Sequence, residues 1–184
     1  MQNFNSTSQS VIKELKNYIS KVKSALKSQD FFDYIAKKSK EVLDEVTAQS
    51  LNSDDEQQYS HVYRLNHEVK VDFNEIVLSN QVIIPSGSLN PAIANNYPDG
   101  FDLSKAIEYG TGIIGAESDA SAIATDRGWQ YDVNGHGEKG WFYKDENGEI
   151  WWTRGMTGKL IYYKSKQIIE EKINDWIVEY IQNI

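Results

Sequence analysis

Apolar residues recur at three- and four-residue steps in two stretches of the first fifty residues, a spacing typical of amphipathic helices. We expect the first helix to follow a cap at Ser8 or Ser10 and the second to span about residues 31–49 behind a cap at Asp30. The apolar positions of the first are Val11, Ile12, Leu15, Tyr18, Ile19, Val22, Ala25 and Leu26. The pattern does not decide between two helices and one bent helix. Two antiparallel neighbours would bury their stripes against each other or against a sheet.

The end of the chain shows the same periodicity and predicts a helix from about Leu160 to the last residue. Its apolar positions are Ile161, Ile168, Ile169, Ile173, Trp176, Ile177, Tyr180, Ile181 and Ile184. Charged residues occupy the other face, so we expect this helix to pack across a sheet as its main cover.

Strand-like patterns lie between the helices. Residues 59–71 and 75–84 alternate in part, with a kink at Ser79 and Asn80 in the second run. Residues 141–143 and 150–152 flank an Asn-Gly turn, which predicts a β-hairpin. Together they indicate an antiparallel sheet of about four strands.

These elements predict one α+β domain over residues 1–184, with two N-terminal helices and a long C-terminal helix packed on the sheet. Residues 1–10 lack the basic region and apolar core of a signal peptide and are expected to form a flexible polar arm. Helices fill 11–51, strands and long loops fill 59–155, and the final helix fills 158–184.

Two long loops are expected to contact other molecules. The first, residues 85–101, holds all three prolines, and the second, 112–140, is rich in glycine. Asp102 or Ser104 is expected to start a short helical turn that leads into Ile107, Glu108 and Tyr109.

The net charge of −8 is unevenly distributed. Up to Leu51 there are eight lysines and six acidic residues, whereas from Asn52 onward eleven Lys and Arg face twenty-one Asp and Glu. An acidic body repels the phosphate backbone, which argues against nucleic-acid binding through a basic face. No apolar run approaches the ~20 residues that cross a bilayer, so no membrane contact is expected.

The sequence gives little support to a nucleophilic, metal-binding or phosphate-binding site, and we expect neither catalysis nor a cofactor nor a metal. The chain has no cysteine, which excludes thiolate ligands and nucleophiles. The histidines at 61, 67 and 136 lack ligand spacing and are expected at the surface or hydrogen-bonded. The glycines at 110, 112 and 115 lack a following phosphate-binding lysine, and a loop is expected after them.

Aromatic residues supply the candidate contact surface and one alternative function. The candidate interface residues are Tyr97, Phe101, Trp129, Trp141, Trp151 and Trp152. Strand alternation places Trp151 and Trp152 on opposite faces of the hairpin. Tryptophans in a hairpin also stack on sugars, so a carbohydrate-binding or other ligand-binding module remains the alternative.

The segments that flank the second loop resemble a known family. Glu108, Tyr109, Gly110, Thr111 and Gly112, followed by an aromatic hairpin, then Thr153, Arg154 and Gly155 and a final amphipathic helix, are similar to the neck proteins of tailed bacteriophages. That family comprises tail-completion and head–tail joining proteins, often described as minor tail components. The family often has proline near the start of the last helix, where this chain reads Met-Thr-Gly-Lys-Leu.

The resemblance implies a non-enzymatic virion protein, assembled in the bacterial cytoplasm and located at the head–tail junction. It implies a homo-oligomeric ring, a hexamer, that contacts a portal, adaptor or head-closure protein and a tail-tube protein. DNA would pass through its channel without specific binding. From the residues alone, Arg154 is a candidate partner for an acidic group such as Glu108.

Overall fold

The computed structural model describes residues 3–52, 66–88, 99–131, 139–144 and 150–184, and mixed helix and strand confirm an α+β chain. Two helices, α1 (Asn3–Ala25) and α2 (Gln29–Ser50), precede β1 (Glu68–Val71), β2 (Ile76–Ser79) and β3 (Ile83–Ile84). A 3-10 turn at Ser86–Ser88 follows, and then β4 (Phe101–Asp102).

The remaining elements begin with three short helices around one strand. These are α3 (Leu103–Tyr109), β5 (Gly110–Thr111), α4 (Gly112–Ala116) and α5 (Ser121–Asp126). The strands β6 (Trp141–Lys144), β7 (Ile150–Thr153) and β8 (Gly155–Thr157) lead to the long helix α6 (Ile161–Gln182).

The N-terminal region forms two helices rather than one bent helix. Ser28 has an extended backbone conformation, and its Oγ accepts a hydrogen bond from the N–H of Phe31. Ser28 therefore caps α2. Asp30 is therefore not the cap but a first-turn residue, where an acidic side chain complements the helix dipole. The first helix begins at Asn3, so the expected polar arm of residues 1–10 is helical over most of its length.

The core is built mainly from α2 and α6, which run antiparallel. The ring of Tyr180, near the end of α6, lies 5.1 Å from that of Phe31 and 5.3 Å from that of Tyr34, at the start of α2. Fully buried Ile35 and Leu43 of α2 join Ile161 and Ile169 of α6 in one apolar cluster. The last helix, correctly predicted in extent, therefore packs mainly on α2 and not across a sheet.

The strands form two-stranded antiparallel ladders rather than one sheet of about four strands. The pairs are β1 with β2, β3 with β4, β5 with β8, and β6 with β7. Each strand in the described ranges has two to four residues, and β2 ends at Ser79, so these strands offer little edge for a further strand to pair with. The antiparallel pairing of the two predicted hairpin strands is confirmed, with Phe142 opposite Trp152, and the Asn-Gly turn lies outside the described residues.

The expected burial of the α1 stripe is wrong. Val11, Ile12, Leu15, Tyr18 and Ile19 are 57%, 52%, 56%, 53% and 43% exposed. None of the helices in the described ranges is both long enough and apolar enough to cross a membrane.

Candidate functional site

The two segments that carry the family resemblance meet in space, although more than forty residues separate them. In the β5–β8 ladder, Gly110 pairs with Thr157 and Thr111 pairs with Met156. An isolated antiparallel bridge between Gly112 and Gly155 extends the pairing by one step. We call this ladder, with the ends of α3 and α6 that adjoin it, the junction.

Glycine is required on both strands of the junction. Gly155 has φ +109°, and a Cβ there would lie 1.9 Å from the carbonyl oxygen of Thr111. Gly110 has φ +84°, and its Cβ would lie 2.5 Å from the carbonyl oxygen of Met156. Backbone packs against backbone at these points, which explains the glycines in structural terms.

A local side-chain turn sets the direction of β8. The hydroxyl of Thr153 accepts from the N–H of Gly155 at 3.0 Å and donates to the carbonyl of Gly155 at 3.1 Å. Such a bond from a hydroxyl to backbone two residues ahead stabilises a turn. Thr153, Arg154 and Gly155 thus form the corner between β7 and β8.

Glu108 caps the last helix from a distant part of the chain. Its buried carboxyl group accepts the N–H of Tyr162 at 3.0 Å and the N–H of Tyr163 at 3.3 Å. These amides lie in the first turn of α6, where N–H groups lack intrahelical partners. The residue at the helix boundary, Leu160, has an apolar side chain that cannot cap it. Glu108 replaces the missing local cap.

The connection is reciprocal. The carbonyl of Ile107 accepts from the N–H of Lys159 at 2.9 Å, and the carbonyl of Glu108 accepts from the N–H of Leu160 at 3.0 Å. The end of α3 is therefore satisfied by the segment that enters α6. Leu160 adopts φ +52°, which a buried leucine rarely does, and this turn brings the α6 amides to Glu108.

Burial raises the pKa of the Glu108 carboxyl above its ordinary value, because the charged form loses hydration. The N–H groups of Tyr162, Tyr163 and Ile161 oppose this rise in pKa, and the positive charge of Arg127 opposes it more weakly. Desolvation is the larger effect.

Aromatic side chains hold the backbone of the first motif segment. The indole Nε1 of Trp129 donates to the carbonyl of Gly110 at 2.9 Å, and the hydroxyl of Tyr131 donates to the carbonyl of Tyr109 at 3.0 Å. The rings of Tyr109 and Trp129 lie 5.9 Å apart. Trp129, predicted as an interface residue, is half-buried and supports the junction from within the chain.

The hypothesis that Arg154 pairs with Glu108 is replaced by the helix cap. Within the described parts of the chain, the carboxyl oxygens of Glu108 accept from backbone amides of α6 and form no ion pair with Arg154. The sequence carries an indirect signal that a distant residue caps α6. A helix start without a local capping side chain requires an acceptor from elsewhere.

The other predicted interface residues differ in placement. Phe101 is half-buried in β4, and Trp152 is 52% exposed on β7. Trp141 and Trp151 lie in the paired strands of the hairpin, but their side chains are outside the described set, as is the whole of Tyr97.

The expected loop after the glycines is in part helical. The five-residue helix α4 follows β5 directly, so the absence of a helix is not what distinguishes this segment from a phosphate loop. No lysine directly follows the glycines, and that distinction from a phosphate loop stands. Asp102, as predicted, caps α3 by accepting the N–H of Lys105.

No metal-binding geometry is present in the described ranges, where no three His, Asp or Glu side chains form a group that could hold an ion. Buried His67 contacts Asp44 through Nδ1 at 2.9 Å and the hydroxyl of Thr47 through Nε2 at 3.5 Å. It is thus a hydrogen-bonded imidazole, as expected. His61 and His136 lie outside the described residues.

No family model, curated protein or solved structure matches the chain.

The raised pKa of Glu108 predicts a pH dependence of stability. The folded chain holds this proton more tightly than the unfolded chain, so the stability contributed by Glu108 is fully present below the ordinary pKa of 4.5. It is lost as the pH rises through the folded pKa. In urea unfolding between about pH 4 and pH 8, we expect the unfolding free energy of wild type minus that of E108Q to decrease as pH rises.

Gly128→Ala provides the control, because it changes no titratable group and a Cβ there meets no atom within 4 Å. The difference between wild type and G128A should show no comparable fall over the same pH range. A wild-type minus E108Q difference that grows with pH would contradict the prediction.

Proposed function

We propose that this chain is a non-enzymatic structural protein of the tailed-phage neck, assembled as a hexameric ring at the head–tail junction. It would contact a portal, adaptor or head-closure protein on one side and a tail-tube protein on the other. The observation that carries the proposal is the junction itself. Glu108, Gly110, Thr153 and Gly155, which carry the resemblance to neck proteins, form one connected unit.

The role of this unit is architectural. Glu108 fixes the start of α6, and the paired glycines fix the ladder that leads into it. Each polar contact described at the junction joins two parts of the same chain. The junction would therefore hold the aromatic hairpin and the loops in fixed positions for assembly.

The surface is compatible with such a role. Ile150 is 72% exposed and Trp152 is 52% exposed on one strand of the hairpin, next to β8. Exposed large apolar and aromatic residues are typical of protein contact surfaces. The acidic residues after Leu51 disfavour adhesion to DNA, which suits a channel through which DNA moves.

Assembly provides the test. Native mass spectrometry of the purified chain across a range of concentrations should show a mass that is a multiple of six subunits, and electron microscopy should show six-membered rings. In a phage that encodes the chain, its removal should yield DNA-filled heads and free tails that do not join. Joined, infectious particles without the chain would refute the proposal.

Carbohydrate binding is the second candidate, and the exposed indole of Trp152 is the observation that favours it. A glycan that binds should change tryptophan fluorescence in wild type and not in Trp152→Ala. A monomer at all concentrations with this glycan response would favour the binding module over the neck protein.

A further inference from the structure

The first helix is exposed on all its faces over most of its described length. From Ser10 to Lys21 every residue is exposed, and Val22 is the first half-buried position. Most of the stability of helices in proteins comes from packing of an amphipathic face, so this amphipathic helix of 23 residues gains stability from a partner along its apolar face. At ~1.5 Å per residue the helix is about 34 Å long.

The apolar face has the spacing of a helix–helix seam. Val11, Leu15, Tyr18, Val22 and Ala25 alternate steps of four and three residues, which is the core spacing of a coiled coil. Ile12 and Ile19 broaden one flank of this seam. On the other flank lie one acidic residue, Glu14, and one basic residue, Lys21, seven positions apart.

We propose that this face binds the same face of a second copy of the chain, with the two α1 helices antiparallel. In this register Val11 packs on the partner's Val22, and Leu15 packs on the partner's Tyr18. Ile12 then faces the partner's Ile19. Glu14 faces the partner's Lys21, and the two-fold symmetry repeats this ion pair on the opposite side.

Charge selects this arrangement over the parallel one. A parallel pair would place Glu14 beside the partner's Ile19 and Lys21 beside the partner's Leu26, which leaves both charges against apolar side chains. The ammonium group of Lys21 also donates to the main-chain oxygen of Ile184 at 2.5 Å. Since an ammonium has three donors, that bond is compatible with a carboxylate contact from the partner.

A lipid surface is the competing occupant, because α1 carries Lys13, Lys16, Lys21 and Lys23. Glu14 opposes it, since this carboxylate borders the apolar seam and would face an anionic bilayer. Within the chain Glu14 accepts a hydrogen bond from the hydroxyl of Ser10 at 3.5 Å, and the second copy adds a cation, which an anionic lipid does not.

This pairing goes beyond the neck-protein proposal and does not depend on it. A two-fold contact through α1 uses none of the junction residues or the hairpin. Dimerisation through α1 and ring formation are separate measurements, so either one can fail without the other.

Cysteine cross-linking tests the register, since the natural chain has no cysteine and engineered thiols are its only ones. Val11→Cys and Val22→Cys are prepared separately in the full-length chain. Under mild oxidation, a mixture of the two should yield a disulfide-linked dimer that contains one copy of each. Each variant alone should stay unlinked, because identical positions lie about 16 Å apart along the axis and a disulfide needs Cα atoms within about 7 Å.

Charge reversal tests the ion pairs by sedimentation equilibrium. E14K and K21E each place like charges together twice per dimer, so each should raise the dimer dissociation constant on the order of tenfold. The double variant E14K/K21E should return to the wild-type value. As a matched control on the opposite face, K16E should leave the constant within about threefold of wild type.

Leu15→Glu tests the seam itself and should raise the dimer dissociation constant on the order of 100-fold, because it places a charge in an apolar layer. Unfolding by urea shows whether the body of this variant remains folded. The proposal is overturned if wild type sediments as a monomer, if single cysteine variants cross-link as well as the mixture, or if the double charge reversal fails to restore pairing. A monomer that floats with phosphatidylserine vesicles would assign the face to lipid instead.

Discussion

Truncating Glu108 to alanine should lower the free energy of unfolding by about 3 kcal/mol. The change leaves the amides of Tyr162 and Tyr163 without their acceptor at the start of α6. A lost cap costs about 0.5–2 kcal/mol, and a buried donor left without a partner costs about 1–3 kcal/mol. Relief of the desolvated carboxyl group offsets part of this, so the expected loss lies below the upper end of the combined range of about 1.5–5 kcal/mol.

Thermal unfolding measures this loss as a lower Tm by roughly 6–12 °C for a chain of this length. Hydrogen exchange gives a local readout, because the amides of Tyr162 and Tyr163 should exchange faster in E108A than in wild type. Glu117→Ala is the control, since this side chain is exposed and its loss should change stability by no more than about 0.5 kcal/mol. If E108A and E117A unfold alike, the capping role of Glu108 is wrong.

Replacing Gly155 with alanine should be comparably damaging, with a loss of about 3–5 kcal/mol. Two effects combine at this position. A positive φ costs a non-glycine residue about 1–2 kcal/mol. The added Cβ also lies 1.9 Å from the carbonyl oxygen of Thr111, so the ladder between β5 and β8 must separate.

Gly128 shows the cost of the positive φ without the clash. It has φ +78°, and a Cβ there meets no atom within 4 Å. Gly128→Ala should therefore cost only about 1–2 kcal/mol in urea unfolding. The excess loss in G155A measures the clash in the junction, and equal losses in the two variants would show that the close approach of β5 and β8 is not required.

Both predictions concern the same structural device. The end of α3 and the start of α6 supply each other's missing hydrogen-bond partners. Carbonyls at the end of α3 accept from amides that precede α6, and the side chain of Glu108 accepts from amides within α6. Damage at Glu108 or Gly155 should therefore affect the position of α6 as well as the local strands. In a ring protein, such damage would reduce assembly together with stability.

Local periodicity allowed α2 and α6 to be predicted closely, whereas the start of α1 was placed several residues too late. The α6 pattern and the Asn-Gly hairpin were each recognisable, because amphipathic spacing and turn chemistry act over a few residues. The short helix after Asp102 was predicted for the same reason. The helical turns α4 and α5 were missed, since five- and six-residue helices offer too few positions for a periodic signal.

The packing of the helices and strands against one another was harder to predict from the sequence. The α1 and α2 stripes looked equivalent, yet α2 is buried against α6 while α1 is exposed. An apolar stripe shows that a helix has a face to bury but does not identify what covers it. The same limit applies to the strands, which were expected in one sheet and form separate pairs.

The sequence by itself determined the α+β class, the extent of the last helix and the pairing of the two hairpin strands. These depend on spacing, turn residues and composition, which are local properties. Only the tertiary structure decided that Gly110 lies against the strand of Gly155 and that Glu108 caps α6. Both contacts join positions about fifty residues apart, and such pairings are set by the packing of the whole chain rather than by any single segment.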